Sequence, residues 1–476
     1  MKRRTRIGGD GGYQGLEENT LALLDTSGFN TSKVSHHLDD DRLAFLEAVR
    51  TTSLLPDNGI APTRKMLEAI FHIMIDADSL DLIVQSYQLL IESDKRFPRL
   101  YLSEGEQSDS SSPKVSQFIM VEEAWSPFNF RMDGYDKKGD ATDHSRNLVD
   151  SSGFHTLIQE IADVSEEVKS GAVEIGFMKK MLLLQYLVTV LEGDFGPRNC
   201  AYQENMDWTI LRESLLSMLL GSRKIIYKGL IKDSLSIMCN MSQSTVSSEE
   251  NSYNDKPQGE VLHEVDRAMA LALPEVEKST CTVLKNFFIM IMELDSSRRT
   301  ADQQGLTTRV DGVRTPVVEI ILDELMNDTD VLSSFLKVFD PKWRLEIIVQ
   351  YFQKYIAKRS VQTRSLNGTV NTENFDGVLK YLSNSKSTRS IIKRITTEAI
   401  QMLLAYAFQA HVMLLYNESE GFSDMVEDVK SDSVVEVCKD IISAFTCLKQ
   451  EDPNSEILCC GKQALITAAA IISVKS

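Results

Sequence analysis

The sequence predicts an all-α protein, an irregular helical-repeat solenoid of the HEAT or armadillo type. The first observation is proline: the chain has 11 prolines among 476 residues. This is about 2%, less than half the usual ~5%, so obligatory helix breaks are few. The second is that apolar residues recur at spacings of three and four through most of the chain. The third is that no strictly alternating apolar–polar run, bounded by Asn-Gly or Asp-Gly, indicates a hairpin.

The domain organisation follows from shifts in composition along the chain. Residues 1–38 are rich in Gly, Ser, Asn and Thr, which predicts a disordered N-terminal tail. Residues 39–102 predict an N-terminal helical segment. Residues 103–150 are acidic, serine-rich and non-periodic, which predicts a flexible loop. Residues 151–476 are periodic again and predict the main α-solenoid.

Within the N-terminal segment, Met66, Ile70 and Ile73 form an apolar stripe that begins after Pro62, a residue tolerated in a first helical turn. A second stripe follows, with Asp78 or Ser79 as its helix cap. From residue 151 onward, the periodicity predicts helices at 154–168, 172–192, 206–220, 222–241, 260–272, 275–295, 316–326, 329–338, 341–357, 375–383, 387–416, 432–449 and 455–474. So many helices exceed the core of one bundle and favour stacking as in helical repeats.

Composition narrows the class of protein. The formal net charge of −18 excludes a generally basic nucleic-acid binder. The longest apolar stretches, Met181–Leu191 and Met402–Tyr416, carry polar residues and predict buried helices, with no membrane partner. Seven scattered cysteines without a CxxC pair indicate reduced thiols used as small core residues.

Catalytic and metal-binding motifs are missing from the sequence. The chain has neither a P-loop nor a dinucleotide-binding glycine pattern, and no GxSxG. His263 begins HEVDR, but the second histidine of a zinc helix would fall at position 267, which is Arg267. We therefore expect no catalytic residues, no cofactor and no metal, which favours a non-enzymatic binding protein.

Basic clusters interrupt this acidic chain at three places. They are Arg223, Lys224, Lys228 and Lys232; Lys342, Arg344, Lys354, Lys358 and Arg359; and Lys386, Arg389, Lys393 and Arg394. The last group falls at spacings that place most of its members on one helical face. Such stripes are candidate contacts to DNA phosphates or to an acidic partner. The alternative is an ordinary solvated face balanced by nearby acids.

A weak SUMO-interacting motif is the second candidate binding signal. Val434, Val435 and Val437 follow an acidic, serine-containing flank in SDSVVEV, and such motifs bind as an added strand. The same valines continue into a helical apolar pattern, so a buried helix is the alternative interpretation.

Two longer stretches carry a family resemblance. NGIAPTRKMLEAIFHIMIDADSLDLIVQSYQLLIESDKRFPRLY and VFDPKWRLEIIVQYFQKYI resemble the C-terminal helical region of localization factor 2 of the vertebrate SMC five–six complex. That family is similar to the yeast non-SMC element six.

The resemblance implies a non-enzymatic nuclear adaptor. Its partners would be localization factor 1, or the related SUMO-interacting-motif protein, as a heterodimer, together with SMC five–six subunits. It would direct that complex to DNA lesions or to viral episomal DNA, in genome maintenance, DNA repair and viral restriction. The alternative function is a direct DNA-binding module that uses the basic stripes.

Overall fold

The computed structural model describes residues 35–55, 59–103, 117–120, 125–130, 148–167, 175–250, 264–308, 314–360, 374–419 and 427–475. The chain forms two compact units, Met1–Val313 and Arg314–Ser476. The boundary between them falls inside the segment that the sequence predicts as one main solenoid. Of the predicted disordered tail, residues 1–34 lie outside the described residues, and residues 35–38 form the start of the first helix.

The first unit is built around one central helix. Its helices are α1 (Ser35–Ser53), α2 (Arg64–Asp76), α3 (Leu80–Arg96), α4 (Ser151–Glu167), α5 (Ile175–Asn205), α6 (Trp208–Arg212), α7 (Leu215–Gly221), α8 (Tyr227–Glu250) and α9 (Glu264–Gln303). Helix α5 packs against α3, α4, α6, α7 and α9, while α2 packs on α3 and α8 packs on both α4 and α9. Each helix therefore covers its neighbours in a stack around α5.

Two of these helices run through a proline where the sequence predicts an end. Helix α5 continues past Pro197, and α9 contains Pro274. An internal proline costs about 3 kcal/mol because a hydrogen bond is lost. In α5 that cost is offset by burial beyond the proline, where Ala201 and Tyr202 are both 1% exposed.

A small β-ribbon lies where the predicted N-terminal helical segment, 39–102, meets the predicted flexible loop, 103–150. Strands β1 (Leu100–Ser103) and β2 (Gln117–Met120) pair antiparallel, with Leu100 opposite Met120. Farther along the chain, Val149 exchanges backbone hydrogen bonds with Pro127 and Asn129. Trp125 is buried beside them. The described parts of 103–150 are thus held to the first unit, while the rest of that predicted loop, including its serine-rich stretch, lies outside the described residues.

The second unit contains eight described helices. They are α10 (Val317–Leu325), α11 (Thr329–Val338), α12 (Pro341–Ser360), α13 (Phe375–Leu382), α14 (Ser385–Ile392), α15 (Thr397–Ser419), α16 (Glu427–Glu451) and α17 (Cys459–Lys475). Helix α15 packs against α11, α12, α16 and α17. Asp328, Asn374 and Asn384 cap α11, α13 and α14 by accepting hydrogen bonds from first-turn backbone N–H groups.

Helix α15 is the most apolar long helix of the described residues. Its segment Thr397–Tyr416 has the length and composition to cross a membrane, with a mean hydropathy of 1.4. Within the unit, however, 67% of this apolar window is buried against other helices. It is therefore the core helix of the second unit, which agrees with the buried helix predicted for Met402–Tyr416. The predicted all-α class, an irregular stack of helices, is confirmed.

Candidate functional site

Two arginines converge on one buried carboxylate in the first unit. Arg99 Nη2 lies 3.7 Å from Asp194 Oδ1, and Arg198 Nε lies 3.4 Å from Asp194 Oδ2. The side chain of Asp194 is 1% exposed, and its Oδ2 accepts a hydrogen bond from the Leu215 backbone N–H at 2.7 Å. Arg198 Nη1 donates to the carbonyl oxygen of Ile210. This buried charge links the residue before β1 to α5, α6 and the start of α7.

A second carboxylate, Asp94 in the last turn of α3, lies beside this group. Burial raises the pKa of Asp94 to about 7, although Arg99 and the Tyr186 hydroxyl act to lower it. Tyr186 is itself buried, and its pKa is raised well above the usual value by burial and by Asp94. Trp125 stacks on Tyr186 with ring centroids 6.4 Å apart. We call Asp94, Arg99, Tyr186, Asp194 and Arg198 the ionic cluster.

The ionic cluster is suited to holding elements together. Its carboxylates face guanidinium groups, and in the part of the chain that the structure describes no three His, Cys, Asp or Glu side chains are grouped to hold a metal ion. Charged pairs of this kind are costly to break, since removal of one partner leaves a buried charge. Asp94 is the member that changes its protonation near neutral pH.

The first predicted basic group lies at the turn between α7 and α8. Lys224 Nζ pairs with Asp150 Oδ2 at 3.1 Å, and Lys232 is half-buried on α8. Arg223 and Lys228 are exposed and form no hydrogen bond or ion pair with any described residue. Two of the four cations are therefore available to a partner.

Arg344 of the second basic group serves the fold. Its Nε donates to the carbonyl oxygen of Leu336 and its Nη2 to that of Phe339, both at 2.9 Å. The guanidinium also stacks over the Tyr406 ring at 5.7 Å, and burial lowers the pKa of Arg344. This arginine satisfies carbonyl groups at the end of α11, so its prediction as a surface contact is corrected.

The other members of the second group are also engaged or not described. Lys354 Nζ donates a hydrogen bond to Asp323 Oδ2 at 2.7 Å. Burial acts to lower the pKa of Lys354, but this hydrogen bond together with the charges of Asp323 and Glu319 raises it. Lys342 lies over the Trp343 ring. The side chains of Lys358 and Arg359 fall outside the described residues. A basic stripe along α12 is thus not formed by the described side chains.

The third basic group does not lie on one helix. Helix α14 ends at Ile392, and α15 begins at Thr397, so the predicted single helix 387–416 is interrupted. The break is stabilised locally, since Thr396 Oγ1 accepts a hydrogen bond from the Ala399 N–H. Lys386 lies on α14, whereas Lys393 and Arg394 lie in the connection.

Two cations of the third group have intramolecular partners. Arg389 Nε donates to Glu451 Oε2 at 2.7 Å, and the Arg394 guanidinium lies 6.0 Å from the Tyr355 ring centre. Lys386 and Lys393 are exposed without such a partner among the described residues.

The candidate SUMO motif is helical. Val434, Val435 and Val437 all belong to α16, and Val437 is 3% exposed. A strand added to a sheet needs an extended backbone with free N–H and C=O groups, which a helix does not offer. Of the three valines only Val437 is buried, while Val434 and Val435 are half-buried on the same helix.

Sequence reasoning missed the ionic cluster because its members are far apart in the chain. One local signal was present: Asp194 and Arg198 are four residues apart, the spacing that brings two side chains together on one helix face. Such a pair in a buried helix indicates a charge that needs compensation.

Comparison with known proteins identifies the family. The family model of the SNI1 middle domain matches residues 99–341, and that of the SNI1 C-terminal domain matches residues 356–476. The chain is also 42% identical over 469 residues to "Negative regulator of systemic acquired resistance SNI1" of Arabidopsis thaliana, covering 98% of this chain and 96% of the relative. The chain belongs to the SNI1 family. No solved structure matches it.

Membership of the SNI1 family corrects the resemblance drawn from the sequence. The matched models and the relative carry the SNI1 name, so the assignment to localization factor 2 of the SMC five–six complex is wrong. The adaptor function in DNA repair and viral restriction depended on that assignment and is withdrawn with it. The resemblance misled because amphipathic helices of many unrelated proteins share the same spacing of apolar residues. Similar helical stretches therefore do not establish a family.

Proposed function

We propose that this chain is a negative regulator of systemic acquired resistance in plants. The observation that supports the proposal is the 42% identity to the Arabidopsis regulator, because it extends over 98% of this chain and 96% of the relative. An alignment of that extent includes both described units, and no large domain of the relative is left unmatched.

We also propose that the chain acts without catalysis, by binding. Asp194 of the ionic cluster supports this, because it pairs with Arg99 and Arg198 and accepts a hydrogen bond from the Leu215 N–H. A stack of helices offers long surfaces for protein partners.

The predicted partners and nuclear location remain untested predictions. Localization factor 1, the SUMO-motif protein and SMC five–six subunits were inferred from the withdrawn resemblance, and they are no part of this proposal. Direct DNA contact is likewise a prediction, and the pairing of Lys224, Lys354 and Arg389 with acids weighs against it. A fluorescent fusion in leaf cells tests the nuclear location.

Complementation tests the regulatory function. Arabidopsis plants that lack SNI1 would receive this chain, Arabidopsis SNI1, or an empty transgene. Defence-gene transcripts are then measured in unchallenged leaves. We expect this chain to lower the transcripts as Arabidopsis SNI1 does, since a negative regulator holds the response down. Transcripts equal to those of the empty transgene, at matched protein level, would refute the proposal.

A further inference from the structure

The turn between α7 and α8 exposes an isoleucine among three cations. Ile226 is 72% exposed, and the side chains of Arg223, Lys224 and Lys228 lie exposed around it in sequence. We call these four residues the basic turn. An isoleucine with most of its surface in water gives up the burial free energy that such a side chain contributes elsewhere.

The local sequence of the basic turn does not serve the helix that follows it. Ile226 immediately precedes α8, where Ser, Thr, Asp or Asn is preferred as a cap. Lys228 lies in the first turn of α8, where acids suit the helix dipole and a cation does not. Residues that break local rules without a gain in the fold are often placed for function.

The charge of the basic turn is opposite to that of the chain. The protein has a net charge of −18, whereas the basic turn carries three cations and no acid. Of the three cations, only Lys224 pairs with Asp150. No described residue pairs with Arg223 or Lys228. At physiological salt, charges beyond about 8 Å are screened, so an approaching group senses the local cations.

We propose that the basic turn binds an acidic protein segment that carries an apolar side chain. The apolar side chain packs on Ile226, while flanking carboxylates pair with Arg223 and Lys228. A nucleic acid fits this surface less well, because a phosphate backbone offers no apolar group to cover the exposed Ile226. This binding proposal is independent of the plant-immunity proposal, since purified protein tests the first and plants test the second.

Fluorescence anisotropy on the purified full chain tests the basic turn. The probe is a short fluorescein-labelled peptide of aspartate and glutamate around a central leucine, and a second peptide has serine in place of that leucine. We expect the leucine peptide to bind more tightly. Ile226→Ser should weaken its binding about tenfold, the loss expected when one apolar contact is removed. Arg223→Gln with Lys228→Gln should weaken binding and flatten its salt dependence.

The second unit supplies matched controls. Ile466 on α17 is 69% exposed, so Ile466→Ser removes an isoleucine of similar exposure from another surface. Lys386→Gln with Lys393→Gln removes two exposed cations in the same way. We expect neither control to change peptide affinity. The proposal is overturned if the peptide does not bind or the controls weaken it equally. It is also overturned if labelled duplex DNA, and not the peptide, loses affinity on changing the basic turn.

Discussion

Tyr87 on α3 donates a hydrogen bond from its hydroxyl to Oε1 of Gln185 on α5, at 2.9 Å, across 98 positions of the chain. Nε2 of the same amide donates to Thr280 Oγ1 at 2.9 Å and to the Val276 carbonyl oxygen at 3.1 Å on α9. Gln185 is 1% exposed. One buried amide therefore joins three helices of the first unit.

Gln185→Leu should destabilise the first unit. The substitution keeps a similar volume but removes the acceptor of the half-buried Tyr87 hydroxyl and the donor to the buried Thr280 hydroxyl. The expected cost is about 1–3 kcal/mol. Urea unfolding at neutral pH measures the change. Gln463→Leu on α17 is the matched control, because Gln463 is exposed, and its midpoint should stay close to that of the wild type. Equal midpoints for Gln185→Leu and wild type would show that the amide network contributes nothing.

Asp94→Asn should remove a pH dependence of stability. The folded pKa of Asp94 is raised from 3.8 to about 7, so between these values the native state binds a proton that the unfolded chain has released. The stability that the raised pKa of Asp94 contributes is therefore complete below about pH 4, and it is lost as the pH rises toward 7. We expect Asp94→Asn to unfold at higher urea than wild type at pH 8, with a smaller difference at pH 5.

The control for Asp94 is an exposed aspartate at the other end of α3. Asp78 precedes α3 and is exposed, so Asp78→Asn should retain the wild-type loss of stability between pH 5 and pH 8. A wild-type pH profile in Asp94→Asn would contradict the assignment of that loss to the ionic cluster.

Gly461→Ala should loosen the packing of α17 on α16. A Cβ atom at Gly461 would lie 2.9 Å from Phe445 Cε1 and 3.2 Å from Ile457 Cγ2. Overpacking of this kind costs about 1–3 kcal/mol. Gly193→Ala in α5 is the control, since nothing lies within 4 Å of its Cβ position, and removal of a helical glycine should stabilise by about 0.5–1 kcal/mol. The midpoint temperature of thermal unfolding should therefore fall for Gly461→Ala and rise for Gly193→Ala.

Arg344→Met should act on stability and not on binding to nucleic acid. Two carbonyl groups at the end of α11 would lose their donors, at a cost of about 1–3 kcal/mol. Lys342→Met is the comparison, because Lys342 lies exposed on α12, the helix that also carries Arg344. This variant should leave the urea midpoint nearly unchanged. If both variants unfold alike while only Arg344→Met loses affinity for labelled DNA, the surface-contact prediction is restored.

Much of the fold could be predicted because it depends on local periodicity. The stripe of Met66, Ile70 and Ile73 is buried on α2, as its spacing indicates. Helix ends were harder where burial outweighs a local signal, as at Pro197 in α5. The β1–β2 ribbon was missed because its strands, LYLS and QFIM, are only four residues long and lack apolar–polar alternation.

The candidate surfaces were predictable only as residue types. Spacing placed Arg389 and Arg394 among a row of cations, but it could not show that Glu451 and the Tyr355 ring lie against them. Those partners come from other helices, so only tertiary packing brings them close. Periodicity also could not predict that Ile226 is exposed, because exposure depends on whether another part of the fold covers the side chain.

The most direct test of the proposed negative regulation measures defence-gene transcripts in SNI1-deficient Arabidopsis that expresses this chain. We expect the chain to lower those transcripts in unchallenged leaves to the level that Arabidopsis SNI1 restores. Transcripts that stay at the level of the empty transgene, with the chain folded and equally abundant, would contradict it.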